Sequence, residues 1–302
     1  MPILLNVILP VFVVAGLGAL AQVHLQLDLR TLSRATFYLF APALIFDSLA
    51  TSDVGGAEFG QITAVVLLTT LVLWAVGALA ARMLRLSGPS QAAFLAAILI
   101  MNSGNYGLPV NLFAFGEAGL ARASLFFPVT ALIASSLGVY LNARGRLSSR
   151  QALRRVVGVP LVYAAVLGMV FNLANLAVPE PLEKTIHLLG QASIPSMLLV
   201  LGVRLAETVR SRPETLRLPA LTAVTAFRLL VGPALAWLVA TGVGLQGLTR
   251  DVVILESAMP TAVMTTILAT EFDSDPSFAA LCVLITTLVS LPTITILLNL
   301  LA

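Results

Sequence analysis

Ten stretches of roughly 20 apolar residues, nearly free of charge, follow one another along this chain. They lie near 3–23, 32–51, 61–81, 91–115, 119–141, 158–178, 184–204, 218–241, 249–270 and 276–300. A helix needs about 20 such residues to cross the hydrocarbon core of a bilayer. Of 302 residues, 59% are hydrophobic and 10% charged, whereas a soluble domain carries about 25% charged residues. Water cannot solvate so uncharged a surface, so the expected fold is an all-α integral membrane protein with ten transmembrane helices. The first run, MPILLNVILPVFVVAGLGALAQ, lacks a basic leading segment and is too long for the apolar part of a signal peptide, so it reads as the first span. Cys282 is the one cysteine, which excludes a disulfide within the chain and a thiolate metal cluster. The formal charge of +3 sits mostly in short loops, a topology pattern rather than a nucleic-acid surface. The expected surroundings are the lipid bilayer and a small-molecule substrate, with no nucleic acid, metal or resident cofactor.

Arginine and lysine orient the spans. One set of loops holds 13 of the 17: Arg30, Arg34, Arg82, Arg85, Arg144, Arg146, Arg150, Arg154, Arg155, Arg204, Arg210, Arg212 and Arg217. The opposite set holds Arg122, Lys184 and Arg250, and Arg228 lies within a span. Basic loops stay in the cytoplasm. The expectation is therefore a multi-pass protein of the cell membrane with both termini outside.

The basic connection 144–157 divides the chain into residues 1–143 and 158–302, five spans each. The halves repeat weakly at a nearly fixed offset: Pro10 with Pro160, Gly18 with Gly168, Pro42 with Pro195, and Pro109 with Pro260. An odd number of spans per copy forces the second copy to insert upside down. That is the inverted-repeat plan of many secondary transporters, which bind substrate near the midplane where paired helices are interrupted.

Spans four and nine carry such interruptions. In MNSGNYGLPV, Gly104, Gly107 and Pro109 break an apolar helix, and Asn102, Ser103 and Asn105 add amides and a hydroxyl. In ILESAMPTAVMTT, Glu256, Ser257, Met259, Pro260 and Thr261 surround the second break. Freed backbone groups at this depth require a protein-lined or wet cavity. The competing explanation is that small and polar residues glue helices together while prolines merely kink them. Arg228 lies eleven residues beyond Arg217, about 16 Å deep at 1.5 Å per residue. It serves either as counter-charge to an anionic substrate or as a structural pair with Glu256, Asp47 or backbone carbonyls. Glu256 either takes a coupling proton or Na⁺, or neutralises Arg228. His24 and His187 are isolated and read as structural.

At these residues the chain resembles the auxin efflux carrier family, which includes bacterial malonate or malate permease-like proteins. APALIFDSLA is similar to the family's proline-centred second helix. Asn102 followed by Gly107-Leu108-Pro109 resembles its crossover. FRLLVGPAL and AMPTAVMTTILATEF resemble helices eight and nine. The resemblance covers essentially the whole chain. It implies ten helices in a scaffold and a crossover transport domain, an elevator-type movement, a homodimer, and Asn102 as a substrate ligand. The plant members' long central loop is absent, and Glu256 stands where their motif has a neutral residue.

The function expected is therefore secondary active transport of a small organic carboxylate, with proton coupling as one option. Asn102, Ser103, Asn105, Gly107, Pro109, Arg228, Met259, Pro260 and Thr261 form the site, and Glu256 couples the ion. The alternatives are a Na⁺-coupled bile-acid-type symporter and a receptor or scaffold that moves nothing. An intramembrane hydrolase is disfavoured, because no H-E-x-x-H occurs and Ser103-Gly104 has no matching histidine.

Overall fold

The computed structural model describes residues 3–143, 157–210 and 217–301. Arg144, Arg146, Arg150, Arg154, Arg155 and Arg212, and thus nearly all of the basic connection 144–157, lie outside the described residues. The rest is helical and contains no strand. Eleven helices are distinguished: α1 (Leu4–Leu25), α2 (residues 29–50), α3 (Gly56–Met83), α4 (Gly88–Leu99), α5 (Ser103–Ala143), α6 (Pro160–Leu173), α7 (Glu180–Arg210), α8 (Leu218–Val243), α9 (Gly247–Ser257), α10 (Met264–Glu271) and α11 (Pro276–Leu301). Six of them, α1, α3, α5, α7, α8 and α11, are long and apolar enough to cross a membrane. Two shorter ones, α4 and α6, are also apolar.

The elements follow from local chemistry. Asp28 opens α2 as an N-cap, accepting from the N–H groups of Arg30 and Thr31 at 3.2 and 3.3 Å. The Thr31 hydroxyl also donates to it and is the first cause holding its carboxyl below the usual pKa. Four helices share one defect. The N–H groups of Leu9, Ala41, Leu108 and Gly232 bond carbonyls five residues back, at Leu4, Thr36, Ser103 and Phe227. Each donor directly precedes a proline: Pro10, Pro42, Pro109 and Pro233. A proline ring crowds the carbonyl four residues back and offers no N–H, so the ladder slips by one residue. A fifth wide turn, Ala134–Gly138, has no such proline after it.

Several boundaries differ from the sequence expectation. The stretch 158–178 yields only Pro160–Leu173, because Asn175 turns left-handed at φ 49°. α7 begins at Glu180 rather than 184, in two polar turns behind Pro179. Stretch four comprises α4 and the first part of α5, and stretch five the rest of α5; the two parts of α5 are separate helices broken at non-helical Gly116, φ 66° and ψ −160°, between the expected stretches.

Packing sorts the helices into two groups. α1 lies along α7, and α2 lies along α6 and the start of α7. In the other group α8 packs on α3 and α9, α4 on α3 and α11, and α10 on α11. The first turn of α5, Ser103–Gly107, rests on α7 where the groups meet. Without a hydrophobic drive between helices in lipid, close backbone approach supplies the packing. A Cβ on Gly18 would fall 2.6 Å from the Leu199 carbonyl oxygen, and one on Gly168 would fall 3.1 Å from that of Phe46. Buried Arg122 of α5 ties the ends of several helices, donating to Glu58 at 2.8 Å, Thr249 at 2.9 Å and Asp53 at 3.3 Å.

Candidate functional site

The two interruptions expected in stretches four and nine meet face to face. α4 stops at Leu99, and Ile100 turns extended at φ −99°, ψ 99°. α9 stops at Ser257, and six residues pass before α10 begins. The breaks cross antiparallel, with Met101 opposite Thr261. The Asn102 N–H donates to the Pro260 carbonyl at 2.8 Å, and the Ala262 N–H donates to that of Ile100 at 2.9 Å. Pro260 has no N–H to leave stranded, so its carbonyl alone needs a partner here. Thr261 completes the join: its N–H reaches the Thr286 hydroxyl at 3.0 Å, and its own hydroxyl reaches the Ala97 carbonyl at 2.8 Å.

Arg228 of α8 clasps this crossing. Its side chain is fully buried and donates to the carbonyls of Ile98 at 2.6 Å, Ser257 at 2.7 Å and Met259 at 3.2 Å. Of the partners open to it in the sequence, Glu256, Asp47 or carbonyls, it has the carbonyls. Among the described residues it forms no ion pair.

Glu256 is also fully buried. One oxygen accepts from Asn111 Nδ2 at 2.9 Å, and the same Nδ2 donates to the Gly107 carbonyl at 2.9 Å. The carboxylate lies so close to Gly107 that a Cβ there would fall 2.3 Å from Oε2. Glycine is therefore required by the carboxylate.

Three buried polar atoms at the crossing have no partner among the described residues: Asn102 Nδ2, Asn111 Oδ1 and Glu256 Oε2. Orphans of this kind are uncommon and costly, so each calls for a reason. Ser103 is not among them, since its hydroxyl pairs with that of Thr130 at 2.6 Å. Asn105 is half-buried and makes no side-chain hydrogen bond among the described residues, and Pro109 is buried in the next turn. The structure thus gathers Asn102, Gly107, Met259, Pro260, Thr261, Arg228 and Glu256, with Ser103, Asn105 and Pro109 on the adjoining turns of α5. Asn111, Thr130 and Thr286 were not singled out from the sequence. Asn111 had a signal, a lone amide one turn past Gly107 on an apolar helix, but the two threonines had none.

An open space lies elsewhere. A cavity of about 700 Å³ is bounded by Asp47, Ser48, Asp53, Glu117, Glu183 and His187, among others. His187 Nδ1 meets Asp47 at 2.8 Å, and Gln191 meets its other ring nitrogen at 2.9 Å. His187 is thus engaged across α2 and α7.

A family model described as a membrane transport protein matches residues 3–149 and 143–298. Over 289 residues the chain is 31% identical to an uncharacterized transporter of Methanothermobacter thermautotrophicus, covering 94% of each chain. The chain belongs to the auxin efflux carrier family. An uncharacterized transporter of Methanocaldococcus jannaschii is 27% identical over 284 residues, 91% of this chain and 89% of that one. Auxin efflux carrier component 2 of Oryza sativa subsp. japonica is 26% identical over 210 residues, 67% of this chain and 31% of the plant protein. As a member of the family, the chain is a multi-pass membrane transporter.

Proposed function

We propose that this transporter carries a small organic carboxylate by secondary active transport, binding it at the crossing of the two broken helices. The observation that carries the reading is Asn102 Nδ2, a buried amide donor without a partner at the midpoint of the crossing. A carboxylate oxygen is the acceptor such a donor lacks. Helix polarity favours the same charge. The negative C-terminal ends of α4 and α9 are occupied by Arg228, while α5 and α10 begin past the crossing with their positive ends toward it. Ser103, Asn105, Gly107, Pro109, Met259, Pro260 and Thr261 form the surrounding wall.

Glu256 supplies the coupling. As a bare anion against the first turn of α5 it competes with the substrate for the same positive helix end. A proton on Oε2 removes that competition, so proton and carboxylate bind together and move in the same direction. A second reading, Na⁺ in place of the proton, draws on the two unpartnered acceptors, Glu256 Oε2 and Asn111 Oδ1.

The movement is of elevator type. α1, α2, α6 and α7 stay as scaffold, and the second group carries the crossing past α7. Ten spans are counted by joining α4 to the start of α5 and α9 to α10, giving inverted halves over 1–143 and 158–302. The packing supports this pairing. Gly18 of span one meets Leu199 of span seven, and Gly168 of span six meets Phe46 of span two. Exchanging each residue for its counterpart about 150 positions away turns one contact into the other. Both termini lie outside the cell membrane, and the scaffolds of two copies form a homodimer.

A thermal-shift screen of carboxylic acids on purified protein tests the binding step. The reading expects at least one acid to stabilise the wild type in a saturable way, and Asn102→Ala to need at least about tenfold more acid for the same effect. If no acid stabilises the wild type, or if the variant responds equally, the site is misassigned.

A further inference from the structure

Two helices end at the crossing with their carbonyls pointing inward. Each C-terminus carries roughly half a negative charge, so α4 and α9 together present about one unit of negative charge at membrane depth. Alkali cations are commonly held by unwound carbonyls and half-helix C-termini in transporters of this general plan. Here the Arg228 guanidinium stands in that place, with Ile98, Ser257 and Met259 oxygens at 2.6, 2.7 and 3.2 Å and no carboxylate paired to it among the described residues. One permanent positive charge matches the two half-charges, and the planar fork reaches carbonyls from both breaks at once. A residue that only glued α8 to its neighbours would not need to gather oxygens from both helix ends.

We propose that Arg228 is a resident cation. Its tethered guanidinium fills the carbonyl cage at the paired ends of α4 and α9, so the crossing holds its shape and charge without a bound metal ion. Arg228 is then a positioning residue: it acts on substrate through the breaks it joins rather than by direct contact. The consequence for coupling rests on reading the crossing as the substrate site, and it removes Na⁺ from this cage. Glu256 and Asn111 lie outside it.

The test needs no substrate. Thermal unfolding of the full chain in detergent is followed in choline chloride, sodium chloride and methylguanidinium chloride at equal ionic strength. The wild type sets the non-specific effect of each salt, and Glu256→Gln, with Arg228 intact, should show no saturable stabilisation by Na⁺ or methylguanidinium. Arg228→Ala should melt lower in choline chloride and recover several degrees, saturably, with methylguanidinium, because binding to the native state alone stabilises it. Arg228→Lys keeps the charge and should melt between the two, above Arg228→Gln, which lacks it. Saturable stabilisation by Na⁺ that persists in Glu256→Gln, where Arg228 is intact, would overturn the proposal, because a metal site would then exist in the cage alongside the arginine. Failure of methylguanidinium to act on Arg228→Ala would overturn it as well. If that variant yields no folded protein, equal melting of Arg228→Lys and Arg228→Gln would show that shape rather than charge matters, with the same consequence. Because the readout is unfolding, these results stand whether or not a carboxylate is the substrate.

Discussion

In the proposed mechanism Asn102 serves the crossing as a donor and Glu256 as an acceptor, and each role has its own test. Truncating Asn102 to alanine deletes one amide while both backbone bridges across the breaks remain. Losing a hydrogen bond to a charged group costs about 1.5–3 kcal/mol, roughly ten- to a hundredfold in affinity. Asn102→Ala should therefore purify as folded protein and bind carboxylate at least about tenfold more weakly by equilibrium titration. Glu256→Gln keeps the shape of the side chain but can neither take up nor release a proton. It should retain carboxylate exchange in proteoliposomes and lose acceleration by an imposed proton gradient. Full gradient response in that variant would return Glu256 to a structural role. Asn102 was legible in the sequence because an amide beside glycines and a proline in an apolar run has few plain explanations. Backbone carbonyls were among the partners open to Arg228, but which ones was not legible, since they lie 29, 31 and 130 residues away and no side-chain pattern marks them. Asn111 escaped for a related reason: its value lies in meeting Glu256, 145 residues on.

At the scale of helices, proline chemistry and close glycine contacts decide the shape. The wide turns before Pro10, Pro42, Pro109 and Pro233 arise from the missing N–H, and of these only Pro109 was read as a break from the sequence. How far each break would go could not be read. Pro42 leaves α2 nearly continuous, whereas Asn102–Pro109 begins a new helix, because only the latter finds a second broken strand to bond. The break at Gly116, where φ is 66°, falls where the apolar stretches end the fourth span and begin the fifth, so this boundary was legible. Glycine packing gives a graded prediction. Gly18→Ala places a methyl 2.6 Å from backbone, Gly168→Ala 3.0 Å from the Leu49 Cβ, and Gly16→Ala meets nothing within 4 Å. Thermal unfolding in detergent should rank them in that order of damage. The first should cost about 1–3 kcal/mol, as overpacking does, and the last should be near neutral or slightly stabilising. Equal melting of all three would mean that α1 and α7 are not locked as drawn.

For the molecule as a whole, two packing groups meet at the first turn of α5, where the candidate site also lies. Charge bias fixes its predicted orientation: a cysteine at Ser148, in a Cys282→Ser background, should resist impermeant thiol reagents on intact cells and react once they are permeabilised. Labelling without permeabilisation would invert the topology and exchange the faces at which the site opens. The class of fold was legible from charge poverty and apolar runs, which are properties of the whole chain. The grouping of helices was not, because the α1–α7 and α2–α6 pairings join distant stretches through glycines that sequence shows only as small residues. The central claim is that the crossing binds a carboxylate and moves it across the membrane. Uptake into proteoliposomes of a radiolabelled carboxylate selected by the stability screen tests this most directly, with wild type and Asn102→Ala reconstituted at equal density. Saturable uptake by the wild type, faster under an inward proton gradient and slowed at least about tenfold at subsaturating substrate in folded Asn102→Ala, is the predicted result; uptake by Asn102→Ala at the wild-type rate and half-saturating concentration would contradict it.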